Sequence, residues 1–317
     1  MPLEEPSLSD VALVCAADGG YFGLLSGLVR SLKADPTARR MALSVLDLGL
    51  DPEHVGWLEG QGATVRAPDW DLDFPGRDGF PRWFRAMTAR PFLPRHFPGH
   101  AVYLWIDSDA WVQDGTVLAH YVAAARQGKL AIVPELDRAY FNHYRRPKLL
   151  GWDQNHKAVA FAYGLAAANR LGRYPILNSG VFALAAEAPH WALWAEALER
   201  ALNRRRLSRL STDRLMVKII EQTALNSIVF ADWKAPVKRA PATFLPAWAN
   251  WLCGKATPMF NPASGHLVEP HAPHRPLGVV HLAGAGVQKR TFRLSTPDGG
   301  TVETMLTFDA VEAVKAG

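Results

Sequence analysis

The chain has 317 residues, a length that suits one large domain or two small ones. Hydrophobic residues make up 49% and charged residues 21% of the chain, so disorder, collagen and coiled coil do not fit it. The formal net charge of +5 is compatible with phosphate-bearing ligands and too small to indicate a nucleic-acid partner. Two cysteines, Cys15 and Cys253, are too few for a disulfide framework and are interpreted as packing residues.

No stretch of the sequence approaches the roughly 18 apolar residues of a membrane span, and residues 1–10 lack the pattern of a signal peptide. We therefore expect a cytoplasmic protein whose association with membranes is at most peripheral. A run of basic residues between positions 200 and 218 would suit an anionic acceptor or a membrane surface. Such runs more often form the solvated face of a helix, and we favour that interpretation. The run comprises Arg200, Arg204, Arg205, Arg206, Arg209, Arg214 and Lys218.

Apolar runs alternate with helical patterns over much of the chain, which indicates parallel strands with helices packed on the sheet. The predicted strands are residues 11–17, 43–48, 63–66, 101–106, 130–134, 176–185 and 278–282. The predicted helices are residues 22–34, 52–60, 82–94 with an interruption at Pro91, 115–126, 189–203 and 212–230.

The end of the chain predicts a β-hairpin, because residues 291–308 alternate in polarity on both sides of Pro297-Asp298-Gly299-Gly300. No internal repeat and no long linker divides the sequence. We expect one α/β domain over residues 1–290 and a hairpin extension over residues 291–317 packed on it.

Two acidic residues directly follow the predicted strand 101–106, in the sequence Asp107-Ser108-Asp109. In an extended backbone, residues i and i+2 point the same way, so both carboxylates can face one point at the strand's carboxyl end, where open α/β sheets place ligands. A hard divalent cation would accept oxygen ligands from both and relieve their repulsion. The alternative is a solvated turn, because Asp and Ser are turn formers. The position directly after an apolar strand favours the metal site.

Asp18 and Tyr21 follow the first predicted strand. A carboxylate at this point can accept a hydrogen bond from a nucleobase N–H while the tyrosine ring stacks on the base. Asp18 is equally well explained as the cap of the helix that follows.

His281 lies near the end of the predicted strand 278–282, and Gly284 follows it. An imidazole at a strand end can complete a metal site, and adding nitrogen to two carboxylates favours manganese over magnesium or calcium. Gly284 would let the backbone approach a phosphate closely. A single histidine on an apolar strand is more often a structural residue, so the metal assignment depends on the two aspartates.

Five short motifs occur in the order found in glycosyltransferase family 8, which this sequence resembles over roughly residues 11–288. Each motif is weak by itself, but five in this order at plausible spacing are fairly specific. The motifs are Ala16-Ala17-Asp18-Gly19-Gly20-Tyr21, Asp107-Ser108-Asp109, Leu177-Asn178-Ser179-Gly180-Val181, Glu221-Gln222-Thr223-Ala224-Leu225-Asn226 and His281-Leu282-Ala283-Gly284.

The resemblance implies a GT-A domain, which is an α/β fold with a Rossmann-like mixed sheet flanked by helices and a small second sheet. It also implies transfer of a hexose from a UDP-sugar with retention of configuration, with Mn²⁺ as cofactor and Mg²⁺ as a second candidate. The acceptor stays open among a saccharide, a glycolipid and a protein.

By the same resemblance, Asp107, Asp109 and His281 match the metal ligands. Positions around the donor sugar are matched by Asn178, Glu221 and Gln222. Since an amide is a poor base and a weak nucleophile, Gln222 favours a front-face route in which the leaving diphosphate takes the acceptor proton. The nucleotide-binding positions are matched by Ala16, Asp18, Tyr21, Arg90, Ser108, Gly284 and Lys289.

The sequence departs from the family pattern at several of these motifs. Gly20 stands where relatives have Asn, Glu221 where Asp is usual, and Thr223 where a second acid is expected. The expected lysine after Gly284 is Val287, with Lys289 two residues further on. These departures bear on the identity of the sugar and on the diphosphate contact more than on the reaction class.

Two other functions use parts of the same pattern. A phosphatase of the haloacid dehalogenase type also has Asp-x-Asp after a strand, but close to the N-terminus and followed by Thr or Val where this sequence has Trp111. A non-catalytic sugar- or nucleotide-binding protein would have no need of a metal site beside Asn178 and the Glu221-Gln222 pair.

Overall fold

The computed structural model describes residues 7–140, 154–204, 215–230, 240–284 and 286–316. The strands within these ranges are Val11–Ala17 (β1), Ala42–Asp47 (β2), Thr64–Arg66 (β3), Val102–Ile106 (β4), Ala110–Val112 (β5), Leu130–Pro134 (β6), Leu177–Ala185 (β7), Ala242–Phe244 (β8), Trp251–Leu252 (β9), Met259–Asn261 (β10), His266–Val268 (β11), Val279–His281 (β12), Thr291–Ser295 (β13) and Thr301–Met305 (β14). The α-helices are Phe22–Ala34 (α1), Pro52–Gly60 (α2), Phe84–Ala89 (α3), Leu93–His96 (α4), Thr116–Arg126 (α5), Gln154–Tyr163 (α6), Leu165–Leu171 (α7), His190–Leu202 (α8), Leu215–Lys218 (α9), Ile220–Val229 (α10) and Phe308–Ala316 (α11).

The largest sheet in the described ranges has seven strands in the order β3-β2-β1-β4-β7-β6-β8. The first four of these are parallel to one another, as the alternation of strands and helices predicts. Strand β7 runs antiparallel to both of its neighbours, and β8 is parallel to β6. The sheet is therefore mixed, as expected.

Helices cover both faces of this sheet, so its central strands are buried on both sides. Every residue of β1 is buried, which explains why its sequence is a continuous apolar run. Val11 and Leu13 pack toward α1, α2 and α5, whereas Ala12 and Val14 pack toward α3, α8 and α10. The fold thus has three layers with one hydrophobic core on each face of the sheet.

A smaller sheet, in the order β5-β12-β9, stands beside the carboxyl end of β4. It belongs to a third apolar cluster that includes Trp111, Trp251 and both strands of the C-terminal hairpin. Cys253 is buried in this cluster, and Cys15 is buried in the core between the large sheet and helices α1, α2 and α5. Both cysteines are therefore packing residues, as predicted.

The predicted hairpin is present, with β13 and β14 paired from Thr291↔Met305 to Ser295↔Thr301. The chain then forms α11, a helix that the sequence pattern did not predict, and Asp309 accepts a hydrogen bond of 2.6 Å from Arg30 in α1. The division into units 1–290 and 291–317 stays a prediction.

Two predicted segments differ in the structure. Helix 212–230 is interrupted, because Ile219 has φ −111° and ψ 11° and separates α9 from α10; residues 212–214 lie outside the described ranges. The stretch between β6 and β7, for which no periodicity was visible, contains α6 and α7. In the described part of the chain, no helix is both long and apolar enough to span a bilayer.

Candidate functional site

Three distant parts of the chain meet at the carboxyl end of β4. The backbone N–H of Asp107 donates to the carbonyl of Gly180 at 2.8 Å, because β7 runs antiparallel and begins where β4 ends. Strand β12 pairs with β5 and places His281 opposite Ala110. The fold therefore brings three of the five sequence motifs to one edge of the sheet.

The predicted metal ligands come together at this edge. Asp107, Asp109 and His281 each offer one ligand atom, and these atoms lie within 4.8 Å of one another. The Nε2 atom of His281 is 3.2 Å from Oδ1 of Asp109 and 3.9 Å from Oδ2 of Asp107. Two carboxylate oxygens and one imidazole nitrogen form a donor set that suits Mn²⁺.

The second oxygen of each carboxylate is held by protein donors. Oδ1 of Asp107 accepts hydrogen bonds from Arg90 and, at 2.7 Å, from Nε1 of Trp105. Oδ2 of Asp109 accepts from Nε2 of Gln288 at 3.0 Å. These bonds orient the other oxygens, Oδ2 of Asp107 and Oδ1 of Asp109, toward the imidazole, which is the arrangement that a shared cation requires.

Gly180 keeps the space beside this cluster open. A Cβ atom at position 180 would lie 2.3 Å from Cε1 of His281, 2.8 Å from Oδ2 of Asp107 and 2.9 Å from Oδ1 of Asn178. Any other residue would collide with two candidate ligands, so the glycine in the Asn-Ser-Gly motif is a steric requirement of the site.

Arg90 is a buried cation between two acidic groups. Its Nη1 donates to Oε2 of Glu221 at 2.6 Å and to Oγ of Ser179 at 3.2 Å, and its Nη2 donates to Asp107. The guanidinium carbon lies 4.5 Å from the centre of the Trp105 ring. Arg90 also lines the cavity beside the cluster, so its assignment to nucleotide binding stays a prediction alongside this ion-pairing role.

Glu221 is almost completely buried at the start of α10. Burial raises the pKa of its carboxyl to about 7, although the charge of Arg90 acts in the opposite direction. Its Oε1 atom is buried and has no hydrogen-bond partner, whereas Oε2 is bonded to Arg90 and Ser179. A buried acceptor without a donor is costly unless a ligand supplies one.

The two amides predicted to lie near the donor sugar have fixed orientations. Oε1 of Gln222 accepts a hydrogen bond of 3.0 Å from the backbone N–H of Ser179. Oδ1 of Asn178 accepts from Gly180 N at 3.1 Å and from Nδ2 of Asn250 at 3.0 Å, while its own Nδ2 donates to Glu135 at 3.1 Å. One N–H of the Asn178 amide is not used by these bonds.

A cavity of about 330 Å³ opens beside Asp107 and Asp109. Oδ1 of Asp18 accepts a hydrogen bond of 3.1 Å from Tyr21 N, so Asp18 does cap the short 3₁₀ turn Gly19–Tyr21. The Tyr21 side chain stays 46% exposed, and both residues line the cavity. The lining is formed by Ala16, Ala17, Asp18, Tyr21, Leu48, Trp83, Ala86, Met87, Arg90, Trp105, Asp107, Ser108, Asp109 and Lys218.

A second cavity, of about 270 Å³, lies on the other side of Asp109. Ser108 and Asp109 line both cavities, and Lys289 and Gln288 line only the second. Gly284 follows β12 and has a φ of +128°. A Cβ atom added at Gly284 would lie 3.3 Å from the Cα atom of Gly254, so the two backbones approach closely here. Lys289 therefore faces a different cavity from Asp18 and Tyr21, and Gly284 lines neither of the two.

Several residues at the site were not predicted as site residues from the sequence. Lys218 lines the first cavity and had been considered only as part of the basic run. Asn250 contacts His281, and Gln288 contacts Asp109. No local sequence pattern distinguishes Asn250 or Gln288 from ordinary polar residues. Four other members of the basic run, Arg205, Arg206, Arg209 and Arg214, lie outside the described residues.

The sequence matches no protein-family model and no curated protein. The arrangement of the sheets and helices is the GT-A fold of glycosyltransferases. The chain is similar to the galactosyltransferase LgtC, solved with donor and acceptor sugar analogues, at 16% identity over 96% of this chain and 95% of that chain, with a TM-score of 0.52. Another similar structure is the glycosyltransferase GlyE of Streptococcus pneumoniae, at 15% identity over 96% of this chain and 60% of that chain, with a TM-score of 0.47.

Proposed function

We propose that this protein is a retaining glycosyltransferase of family 8 that transfers a hexose from a UDP-sugar to a saccharide, glycolipid or protein acceptor with Mn²⁺ as cofactor. The observation that carries the proposal is the cluster of Asp107, Asp109 and His281 at the carboxyl edge of a GT-A sheet, directly beside a cavity of about 330 Å³. Open α/β sheets bind ligands at this edge.

Asp107, Asp109 and His281 would hold the cation. When bound, Mn²⁺ supplies Lewis-acid stabilisation of the departing nucleoside diphosphate. Tyr21 is exposed in the cavity and would stack on uracil, while Asp18, which has a second carboxylate oxygen beyond the one capping Tyr21, would accept from the base N3–H. Ser108, Lys289 and the backbone at Gly284 would contact the ribose and diphosphate side of the donor.

The donor sugar would lie toward Glu221. Glu221 and Asn178 line neither of the two cavities described, and Glu221 contacts the first one through Arg90. The donor sugar would therefore reach the unpartnered oxygen of Glu221 and the unused N–H of Asn178 only when the site opens around these residues. In the proposed reaction the acceptor oxygen bonds to the anomeric carbon on the face from which the diphosphate departs, and the departing phosphate oxygen takes the acceptor proton. Gln222 and Asn178 stabilise the oxocarbenium-like transition state through their dipoles.

The similarity to LgtC supports a hexose donor and a sugar acceptor, because that protein is described as a galactosyltransferase with donor and acceptor sugar analogues. The rival functions have less support. A phosphatase of the haloacid dehalogenase type has its Asp-x-Asp close to the N-terminus, whereas here the motif follows three earlier strands, β1 to β3. A non-catalytic binding protein stays an alternative that turnover measurements distinguish.

The test is a screen of UDP-, GDP- and ADP-sugars for hydrolysis or transfer with and without Mn²⁺. We expect UDP release from one UDP-hexose, dependent on the cation and lost in Asp109→Asn. A matched control is Asp78→Asn, since the side chain of Asp78 is 90% exposed at a distance from the cluster. Full activity in excess chelator, or in Asp109→Asn, would refute the metal-dependent mechanism, and binding of UDP-sugars without any turnover would favour a binding protein.

A further inference from the structure

A series of linked hydrogen bonds leads from the partly exposed Lys255 to the candidate metal ligand His281. Nζ of Lys255 lies 3.0 Å from Oε2 of Glu135, whose Oε1 accepts from Nδ2 of Asn178 at 3.1 Å. Oδ1 of Asn178 accepts from Nδ2 of Asn250 at 3.0 Å, and Oδ1 of Asn250 lies 3.0 Å from Nδ1 of His281. Five side chains from four separate segments of the chain are thus linked in one line.

The chemistry of the groups sets the direction of the first part of this line. An ammonium group only donates and an ionised carboxylate only accepts, so Asn178 must present its NH₂ group to Glu135 and its carbonyl oxygen away from it. The backbone N–H of Gly180 confirms this orientation independently, because it donates to Oδ1 of Asn178 at 3.1 Å. If the Asn178 amide were flipped, its NH₂ group would face the N–H of Gly180 and its oxygen would face Glu135, so both of these hydrogen bonds would be lost.

The same logic fixes the next two residues. Because Asn178 offers an oxygen, Asn250 must turn its NH₂ group toward it, which leaves the carbonyl oxygen of Asn250 for Nδ1 of His281. Asn250 is completely buried and His281 is 2% exposed, so bulk water does not compete for these atoms. Nδ1 of His281 therefore carries a hydrogen. Without a cation, Nε2 can also donate one to Oδ1 of Asp109, 3.2 Å away; a cation bound between the carboxylates takes the place of that hydrogen and leaves the one on Nδ1.

We propose that Asn250 is a positioning residue that holds His281 in the Nδ1–H tautomer, with the lone pair of Nε2 directed at Asp107 and Asp109, and that Asn178, Glu135 and Lys255 fix the orientation of Asn250. The inference rests on the proposed function in taking this cluster as a metal site. The hydrogen bond on one ring nitrogen decides which nitrogen is free to bind a metal, and loss of such a partner typically costs about 10–100-fold in metal affinity.

Two substitutions at position 250 separate this role from simple packing. Asn250→Leu removes the acceptor for Nδ1–H at similar volume. Asn250→Asp keeps an acceptor for Nδ1–H, but its second oxygen faces Oδ1 of Asn178, so this variant is destabilised while the tautomer is retained. Asn155→Leu is the matched control, because Asn155 is a buried asparagine like Asn250. Its Nδ2 donates to the backbone carbonyl of Tyr174, in the segment after α7, at 2.8 Å.

The first measurement is ¹⁵N NMR of the full chain with labelled histidine, loaded with Zn²⁺ as a diamagnetic substitute for Mn²⁺, so that a cation and not a hydrogen occupies the side of Asp109. We expect the Nδ1–H tautomer for His281 in the wild type, in Asn250→Asp and in Asn155→Leu, and a mixture of tautomers in Asn250→Leu. The second measurement is the Kd of Mn²⁺ by electron paramagnetic resonance. We expect Asn250→Leu to raise this Kd about 10–100-fold and Asn155→Leu to leave it unchanged.

Coordination of the cation through Nδ1, with the hydrogen on Nε2, in the Zn²⁺-loaded wild type would overturn the inference, and this measurement requires no variant to fold. Equal Mn²⁺ affinity in the wild type and in folded Asn250→Leu would also overturn it, while the proposed function would survive. Absence of Mn²⁺ binding in the wild type would instead refute the proposed function. If Asn250→Leu does not fold, the affinity of Asn250→Asp decides. A wild-type Kd in spite of lower stability supports the positioning role, and a Kd raised about 10–100-fold contradicts it.

Discussion

Nη1 of Arg90 lies 2.6 Å from Oε2 of Glu221, and both side chains are buried. The other terminal nitrogen of the same guanidinium bonds to Asp107. The guanidinium of Arg90 therefore connects Asp107, a candidate metal ligand, to Glu221, the carboxylate proposed to hold the donor sugar. The planar guanidinium fixes the distance between the two carboxylates, which a flexible lysine would not do as well.

Arg90→Met should destabilise the protein at neutral pH by up to about 3–5 kcal/mol, because it leaves the buried Glu221 and the partly exposed Asp107 without their shared counter-ion. Urea denaturation without divalent cations measures this change. Arg82→Met is the control, since Arg82 is exposed in the segment before α3, and we expect a change within about 0.5 kcal/mol. Equal stability of the two variants would contradict the role given to the buried ion pair.

The stability of the protein should depend on the protonation of Glu221. Burial raises the pKa of this carboxyl from its ordinary 4.5 to about 7, so between these pH values the folded state binds more protons than the unfolded chain. The contribution to stability is fully present below pH 4.5 and decreases as pH rises through 7. Glu221→Gln should remove this slope. Denaturation of both proteins at a series of pH values without metal tests it, and an unchanged slope in the Gln variant would assign the dependence to other groups.

Gly180→Ala should abolish tight metal binding, because the added Cβ would lie 2.3 Å from Cε1 of His281. Overpacking of this kind costs typically about 1–3 kcal/mol, so the variant should still fold. Calorimetric titration with Mn²⁺ and a circular dichroism spectrum check the two expectations. Gly56→Ala in α2 is the control: no atom lies within 4 Å of its Cβ position, and a helical alanine should stabilise the protein by about 0.5–1 kcal/mol with metal binding unchanged. Wild-type Mn²⁺ affinity in Gly180→Ala would contradict the geometry of the site.

UDP should bind more tightly than GDP or ADP, because adenine has no ring N–H for Asp18 and the larger guanine should fit worse between Asp18 and Tyr21. Tyr21→Ala should weaken UDP binding by about 1–3 kcal/mol, the usual value of a base stacked on an aromatic ring. Since Tyr21 is 46% exposed, the free energy of unfolding should change little. Calorimetry with the three nucleotides decides, and equal affinities would remove Asp18 and Tyr21 from the base site.

The first product formed from an α-linked UDP-sugar should be the α-anomer. Gln222 is a neutral amide held by Ser179 N, and Glu221 is paired with Arg90 and lines neither of the two cavities described, so neither offers a carboxylate nucleophile or base to them. Gln222→Ala should lower turnover without abolishing it, whereas Glu221→Gln should chiefly raise KM for the donor. Proton NMR of the initial product tests the stereochemistry, and a β-anomer would rule out the retaining mechanism.

Much of the fold was predictable because its central strands are buried on both faces. The apolar runs of β1 and β6 are continuous for this reason, and their observed ends coincide with the predicted ones. Strands β5 and β9 have three and two residues, too few to show a period. Helix α6 was missed because the polar residues Asn155 and His156 are buried on it, which hides its apolar face.

The direction of β7 was not encoded in its hydrophobic pattern, yet the site depends on it. A parallel β7 would begin at the opposite edge of the sheet and carry Asn178 and Gly180 away from Asp107. The metal ligands could be proposed from local sequence and from the family resemblance. Asn250 and Glu135 could not, because their importance comes only from side chains that the fold brings into contact.

The ligands of the candidate metal site come from distant parts of the chain: Asp107 and Asp109 follow β4, whereas His281 arrives on β12 through its pairing with β5. Contacts between residues so far apart are slow to form, because the intervening chain loses entropy before the contact stabilises it. A nascent chain that has emerged only as far as β8 has all strands of the main sheet and still lacks the imidazole. Affinity for a cation that prefers nitrogen would thus be acquired only once β12 has emerged, after the strands of the main sheet.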